Sequence, residues 1–370
     1  MTRPSVGIRS LSVSFPSVLR TNDYWRTRHP AQVAKAETKT LARVFSPTDT
    51  SAGSEDFDQE MEPYVSDPFR GTVERRYLGP GETSLGLEAR AIKHALSAAG
   101  VSRDQIDAMI VVSFIPDTLG PGNAAYLARA LELRCAAWNL ESGCTGAIVA
   151  LQNATALVAS GAYRSVLVVV SCTYSRIIDE ADSLSWFLAD GAGAFLVERV
   201  PEGEGVLGSK IVNSSDTCGA FLLEVVKDTR GEPRFRVRPG PDGGRLIRDT
   251  SAPYLRACCQ GACAEAGVSV SDIDFFVFNT PVAWHHLFGA RTLGVDPSRT
   301  MTTYPSYANI GPALMPVNLF HSAHAGKIKS GDLVLCYAVG SVSTAGAVVM
   351  RWGDVALGPP PAPSSELTRG

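Results

Sequence analysis

Ala99-Gly100-Val101-Ser102 followed by Ile106-Asp107 returns 167 residues later as Ala266-Gly267-Val268-Ser269 followed by Ile273-Asp274. Upstream of the first copy, Leu85 to Ala99 has helical periodicity and stops at Gly100; downstream, Asp107-Ala108-Met109-Ile110-Val111-Val112 is a buried strand. Farther along, Gly161 and Ser165 recur as Gly326 and Ser330 at an offset of 165, each ahead of an apolar strand, 166–170 and 333–339. A repeat of this length means two copies of one α/β unit. The break falls near 200–206, where Pro201-Glu202-Gly203-Glu204-Gly205 interrupts the pattern, leaving halves at 1–200 and 206–353. Strands that alternate with helices in this way predict a mainly parallel sheet covered on both faces.

The rest of the chain narrows the class. Hydrophobic residues make up 45% of the 370 and charged residues 19%, which suits a large core. A net charge of −3 supplies no basic field for nucleic acid or an anionic membrane. Val6 to Phe15 alternates like a strand, and no apolar run reaches membrane-spanning length. The eight cysteines lack CxxC spacing, so zinc is not expected and a reduced, cytoplasmic setting is. Residues 16–66 read as an insertion or flap, with one helix over Gln32 to Val44 and an acidic loop over Ser46 to Glu60. The proline-rich 354–370 segment is expected to be disordered.

Asn139-Leu140-Glu141-Ser142-Gly143-Cys144-Thr145-Gly146 is the candidate site. Residues 135–140 read as a strand, Ser142-Gly143 as a sharp turn and Ala147 onward as a buried helix. Cys144 at that helix N-terminus is biased toward thiolate, and the flanking glycines leave room for a second molecule at the sulfur. The 165 offset carries Cys144 onto Asn309, so two helix N-termini, one bearing a thiol and one an amide, are expected to meet at a shared site. Asp190-Gly191 reads as a tight turn entering a strand.

These stretches, with Phe187 to Ala194 and the closing Gly340 to Trp352, resemble the thiolase superfamily and, within it, the ketoacyl-ACP synthase III branch. The resemblance implies a homodimer of five-layer αβαβα subunits that loads an acyl group from coenzyme A or acyl carrier protein onto Cys144. It implies an oxyanion hole from the N–H groups of Cys144 and Gly340, and no cofactor or metal beyond the thioester substrate. It also places Asn309 where the family keeps an asparagine, and Asn279 where the family keeps a histidine.

A carboxamide can donate to an enolate but cannot act as a base near neutral pH. His285 and His286 read as packing residues, and His321 and His324 as an exposed helix end and not a metal pair. The Ile115 to Gly122 loop has small residues, with Leu119 and Gly120 nearest the end of the family's acyl pocket, so a bulkier acyl group is expected. The expected activity is acyl transfer through Cys144 to a hydroxyl, amine or thiol without decarboxylation, in polyketide-type natural-product synthesis. The alternatives are a decarboxylative ketosynthase and a non-catalytic subunit of a heterodimer.

Overall fold

The structure, a computed structural model, describes residues 4–38, 57–227, 231–340 and 344–370. Most of the acidic 46–60 stretch lies outside these residues. The first half contains β1 (Val6–Ser14), β2 (Val18–Thr21), α1 (Asn22–Arg28), α2 (Pro30–Thr38), α3 (Asp58–Met61), β3 (Glu74–Tyr77), α4 (Ser84–Ala99), β4 (Ala108–Phe114) and α5 (Ala124–Ala130). It continues with β5 (Ala136–Asn139), α6 (Gly146–Ala159), β6 (Ser165–Thr173) and β7 (Asp190–Arg199). The second half contains β8 (Gly205–Asn213), the hairpin β9 (Phe221–Lys227) and β10 (Pro233–Pro239), α7 (Gly243–Ala266), β11 (Phe275–Phe278) and α8 (His285–Leu293). It closes with α9 (Tyr304–Tyr307), α10 (Leu314–His324), β12 (Leu333–Val339), β13 (Thr344–Arg351), β14 (Ala356–Leu357) and β15 (Thr368–Arg369).

Two sheets carry the duplication. The first runs β14-β1-β7-β6-β4-β5 and the second β11-β12-β13-β8, so β4, β6, β7 and β1 match β11, β12, β13 and β8 in order. In place of a second β5 there remains one parallel bridge between Phe276 and Thr300. Helices α6 and α10 lie between the sheets, α4 covers the outer face of the first and α7 that of the second, giving five layers. The repeated Gly100 and Gly267 both end their helices in the left-handed region, at φ +64° and +72°. Both are followed by a one-turn helix with a capping box, on Ser102 and on Ser269.

Local chemistry explains the elements that differ from their sequence reading. The alternating β1 is buried on both faces, because Ser10, Ser12 and Ser14 are small enough for α4 to pack closely; Ser12 Oγ donates to the Ala91 carbonyl at 2.6 Å. The second helix begins at Pro30, a residue suited to the first helical turn. Asp190 is no turn residue: it opens β7, fully buried, and its carboxylate accepts from the N–H groups of Leu78 (2.8 Å) and Ser175 (2.9 Å) and from Ser175 Oγ. The 354–370 segment, expected to be disordered, instead pairs in parallel with the open edges of β1 and β2. Its Ser364 Oγ donates to the Glu74 carboxylate at 2.6 Å. The free edges supply hydrogen-bond partners that composition alone does not reveal.

Glu88 on α4 is completely buried; Ser171 Oγ donates to Oε1, and Asn123 Nδ2 donates to Oε2 at 2.8 Å. Burial is the main cause that pushes its carboxyl from 4.5 up to about 7. The folded protein therefore keeps a proton that the unfolded chain releases first, so stability falls as pH rises through the window between those values. In urea unfolding, the wild type is expected to lose on the order of 3 kcal/mol relative to Glu88→Gln between pH 4.5 and pH 8.

Candidate active site

The chain leaves β5 at Asn139, turns at Ser142-Gly143 and enters a single helical turn, Gly143–Thr145, before α6. Gly143 has φ +55°, a conformation that costs a side-chain-bearing residue about 1 kcal/mol or more. The second half repeats this turn as Gly311–Ala313 before α10, and Gly311 has the same φ of +55°. The register between these turns is 168, so the counterpart of Cys144 is Pro312 and that of Asn309 is Glu141. The offset of 165 holds at the helix ends because α10 has 11 residues where α6 has 14. The carboxylate Oε1 of Glu141 accepts the Gly143 N–H at 2.7 Å, and Asn309 Oδ1 accepts the Gly311 N–H at 2.8 Å. The two turns pack directly on each other.

Cys144 is half-buried at this junction. The ring of Tyr174 borders the Gly311 turn that packs on the Cys144 turn. The balance of charge runs against the expected thiolate: burial first, then the Glu141 carboxylate, push the thiol up to about 12. Cys172 lies beside the same Gly311 turn; a Cβ on Gly311 would stand 3.0 Å from its sulfur and 3.7 Å from the Tyr174 ring.

Asn279 follows β11, its N–H held by the Tyr337 carbonyl at 2.8 Å. It is 1% exposed, and both polar side-chain atoms are unpartnered among the described residues. His285 is buried and is drawn down to about 4, chiefly by burial. His321 is likewise drawn down to about 4 by burial, its ring 5.2 Å from Tyr307, which corrects its reading as a cationic helix end.

A model of 3-oxoacyl-[acyl-carrier-protein (ACP)] synthase III matches residues 138–215, and the C-terminal model of the same enzyme matches residues 263–352. The β-ketoacyl-[acyl-carrier-protein] synthase III of Roseobacter denitrificans is 34% identical over 294 residues, covering 76% of this chain and 88% of that protein. A synthase III 2 of Vibrio vulnificus is 31% identical, covering 77% and 80%. The chain belongs to the ketoacyl-ACP synthase III family. In fold, this synthase III family member matches 3-oxoacyl-(acyl carrier protein) synthase III of Pseudomonas aeruginosa with a TM-score of 0.76 at 21% identity, over 95% of this chain and 99% of that one. It also matches the OleA protein of Xanthomonas campestris, solved with lauric acid and lauroyl-CoA, with a TM-score of 0.75 at 19% identity, over 95% and 100%.

Where the family resemblance expects an oxyanion donor, the Gly340 N–H is donated to the Thr344 carbonyl at 2.8 Å. Gly340 serves close packing instead: a Cβ there would stand 2.9 Å from the Ser142 carbonyl oxygen. Ser142 Oγ and Thr145 Oγ1 then bond Thr344, both at 2.7 Å, tying the Cys144 turn to β13. Leu119 is 67% exposed and nothing approaches Gly120, so within one chain neither lines an enclosed pocket. An apolar cluster does flank the site: Cys172, Tyr174, Ile177 and Leu188, with Phe114 and Phe235 packed against it. Sequence reasoning missed Tyr174, whose only local signal is its place just after the apolar β6.

Neutralising Glu141 removes the second of the two causes that raise the thiol. In Glu141→Gln the alkylation of Cys144, followed by peptide mass at fixed pH, is expected to speed up about threefold, equal to a downward shift of about half a pH unit.

Proposed function

We propose that this enzyme takes an acyl group from a coenzyme A or carrier-protein thioester onto Cys144 and passes it to a hydroxyl, amine or thiol acceptor without decarboxylation. The observation that carries this reading is Asn279, a buried carboxamide where the family resemblance calls for a histidine. An amide holds a carbonyl oxygen by donation but accepts no proton near neutral pH. The imidazole of His285, six residues past Asn279, is buried, and its depressed pKa keeps it neutral. The apolar cluster from Phe114 to Phe235 supports an aryl or branched acyl group larger than acetyl. The open edge at β5 and the exposed Leu119 support a second copy of the chain as the partner that completes the pocket. The names of the relatives favour a second reading, condensation with a malonyl thioester.

Intact-protein mass with a panel of acyl and malonyl thioesters, with trapping of carbon dioxide, separates the two. The expected result is an acyl adduct that is absent in Cys144→Ala, discharges to an added nucleophile and forms without carbon dioxide release. Carbon dioxide coupled to a longer β-keto product would establish condensation, and no adduct from any donor would favour a non-catalytic subunit. Asn279→His is expected to raise malonyl decarboxylation at least about tenfold, consistent with the usual contribution of a positioned imidazole.

A further inference from the structure

At the end of α10 remote from the Gly311 turn lies a cavity of about 260 Å³, one wall of which is the 360–364 segment between β14 and β15. Arg76 of β3 lines it and is 3% exposed, yet its guanidinium is poorly satisfied. Nε is buried without a partner, and Nη2 makes two long contacts, 3.5 Å to the Ala362 carbonyl and 3.4 Å to Ser364 Oγ. Nη1 makes no hydrogen bond among the described residues. Glu74, two residues earlier on the same strand, accepts Ser364 Oγ at 2.6 Å and forms no ion pair with Arg76. A buried cation without a counter-charge is unfavourable, and an anion in the cavity relieves it. The Tyr307 ring faces the guanidinium, its centroid 5.7 Å away. His321 Nε2 is also buried without a partner, and the imidazole, drawn down by burial and then by His324, is neutral and has one N–H to donate. Phe320 stacks on His324 with centroids 5.8 Å apart, and the prolines of 360–364 complete an apolar lining.

We propose that this cavity binds a small apolar monocarboxylate, its carboxylate on Arg76 and its apolar body against Tyr307, Phe320 and the 360–364 segment. One fixed positive charge beside neutral donors matches a single negative charge. A dianion such as inorganic phosphate calls for a second cation, and the Glu74 carboxylate at the wall opposes it. The planar guanidinium suits a carboxylate, which it meets through two parallel N–H groups. The volume is just below the usual range of about 300–1,000 Å³ for ligand pockets, so the body is one ring or a short chain. The length of α10, about 16 Å, separates this cavity from the turn that packs on Cys144.

Titration calorimetry of the full-length protein with benzoate tests this, with benzamide as the neutral isostere and inorganic phosphate as the dianion. Benzoate is expected to bind with a Kd on the order of 1 mM, and benzamide and phosphate at least about tenfold more weakly. Arg76→Gln is expected to weaken benzoate at least about tenfold. Arg76 is buried, so a second variant guards against misfolding: Ser306→Trp fills the cavity from an exposed position on its wall. It is expected to show the same loss with an unchanged Tm. Cys144→Ala is expected to bind benzoate as the wild type does, which separates this cavity from acyl loading. Equal binding of benzoate and benzamide, tighter binding of phosphate, or full benzoate affinity in Ser306→Trp would overturn the proposal. So would a wild-type chain that takes up no benzoate at about 20 mM.

Discussion

Two left-handed glycines, Gly143 and Gly311, are the constraint on which the rest depends. Each turns the chain sharply into a helix that runs between the sheets, and each is closed by a side-chain oxygen two residues earlier. A side chain on Gly311 would also meet the Cys172 sulfur. The two helices, α6 and α10, therefore begin from turns that pack on each other. The pseudo-twofold relation of the halves is thus also the geometry of the site.

Chemistry breaks that symmetry. The first turn carries Glu141 and Cys144, where the second carries Asn309 and Pro312. Burial, and then the Glu141 carboxylate beside the half-buried thiol, raise the sulfur's proton affinity, which favours the thiol over the thiolate. The Gly340 N–H is engaged in the turn's own packing, and among the described residues no basic side chain contributes to the proton affinity of the sulfur. A neutral site of this kind suits a reaction in which charge is transient and the proton moves between two sulfurs or between sulfur and acceptor.

The duplication, the order of strand and helix, and the family were legible in the chain because they are local patterns: helix-ending glycines, capping serines and continuous apolar strands. Cys144 was legible for the same reason, standing between two glycines where a strand gives way to a helix. Register was not. A repeat whose second helix is three residues shorter shifts its offset along the chain, and so Asn309 was matched to Cys144 when it corresponds to Glu141. The ordered 354–370 segment escaped as well, since strand pairing to a distant edge leaves no trace in composition.

The sequence by itself determined two α/β halves and a cysteine at a helix entry, which follow from residue type and near-neighbour spacing; Asn279 stands out only against the family's histidine. Only the tertiary structure decided which groups surround the paired turns. Cys172 and Tyr174 reach the paired turns from the end of another strand, and the Gly340 N–H is taken by Thr344. The balance of burial and carboxylate that sets the thiol's proton affinity depends on distances through space.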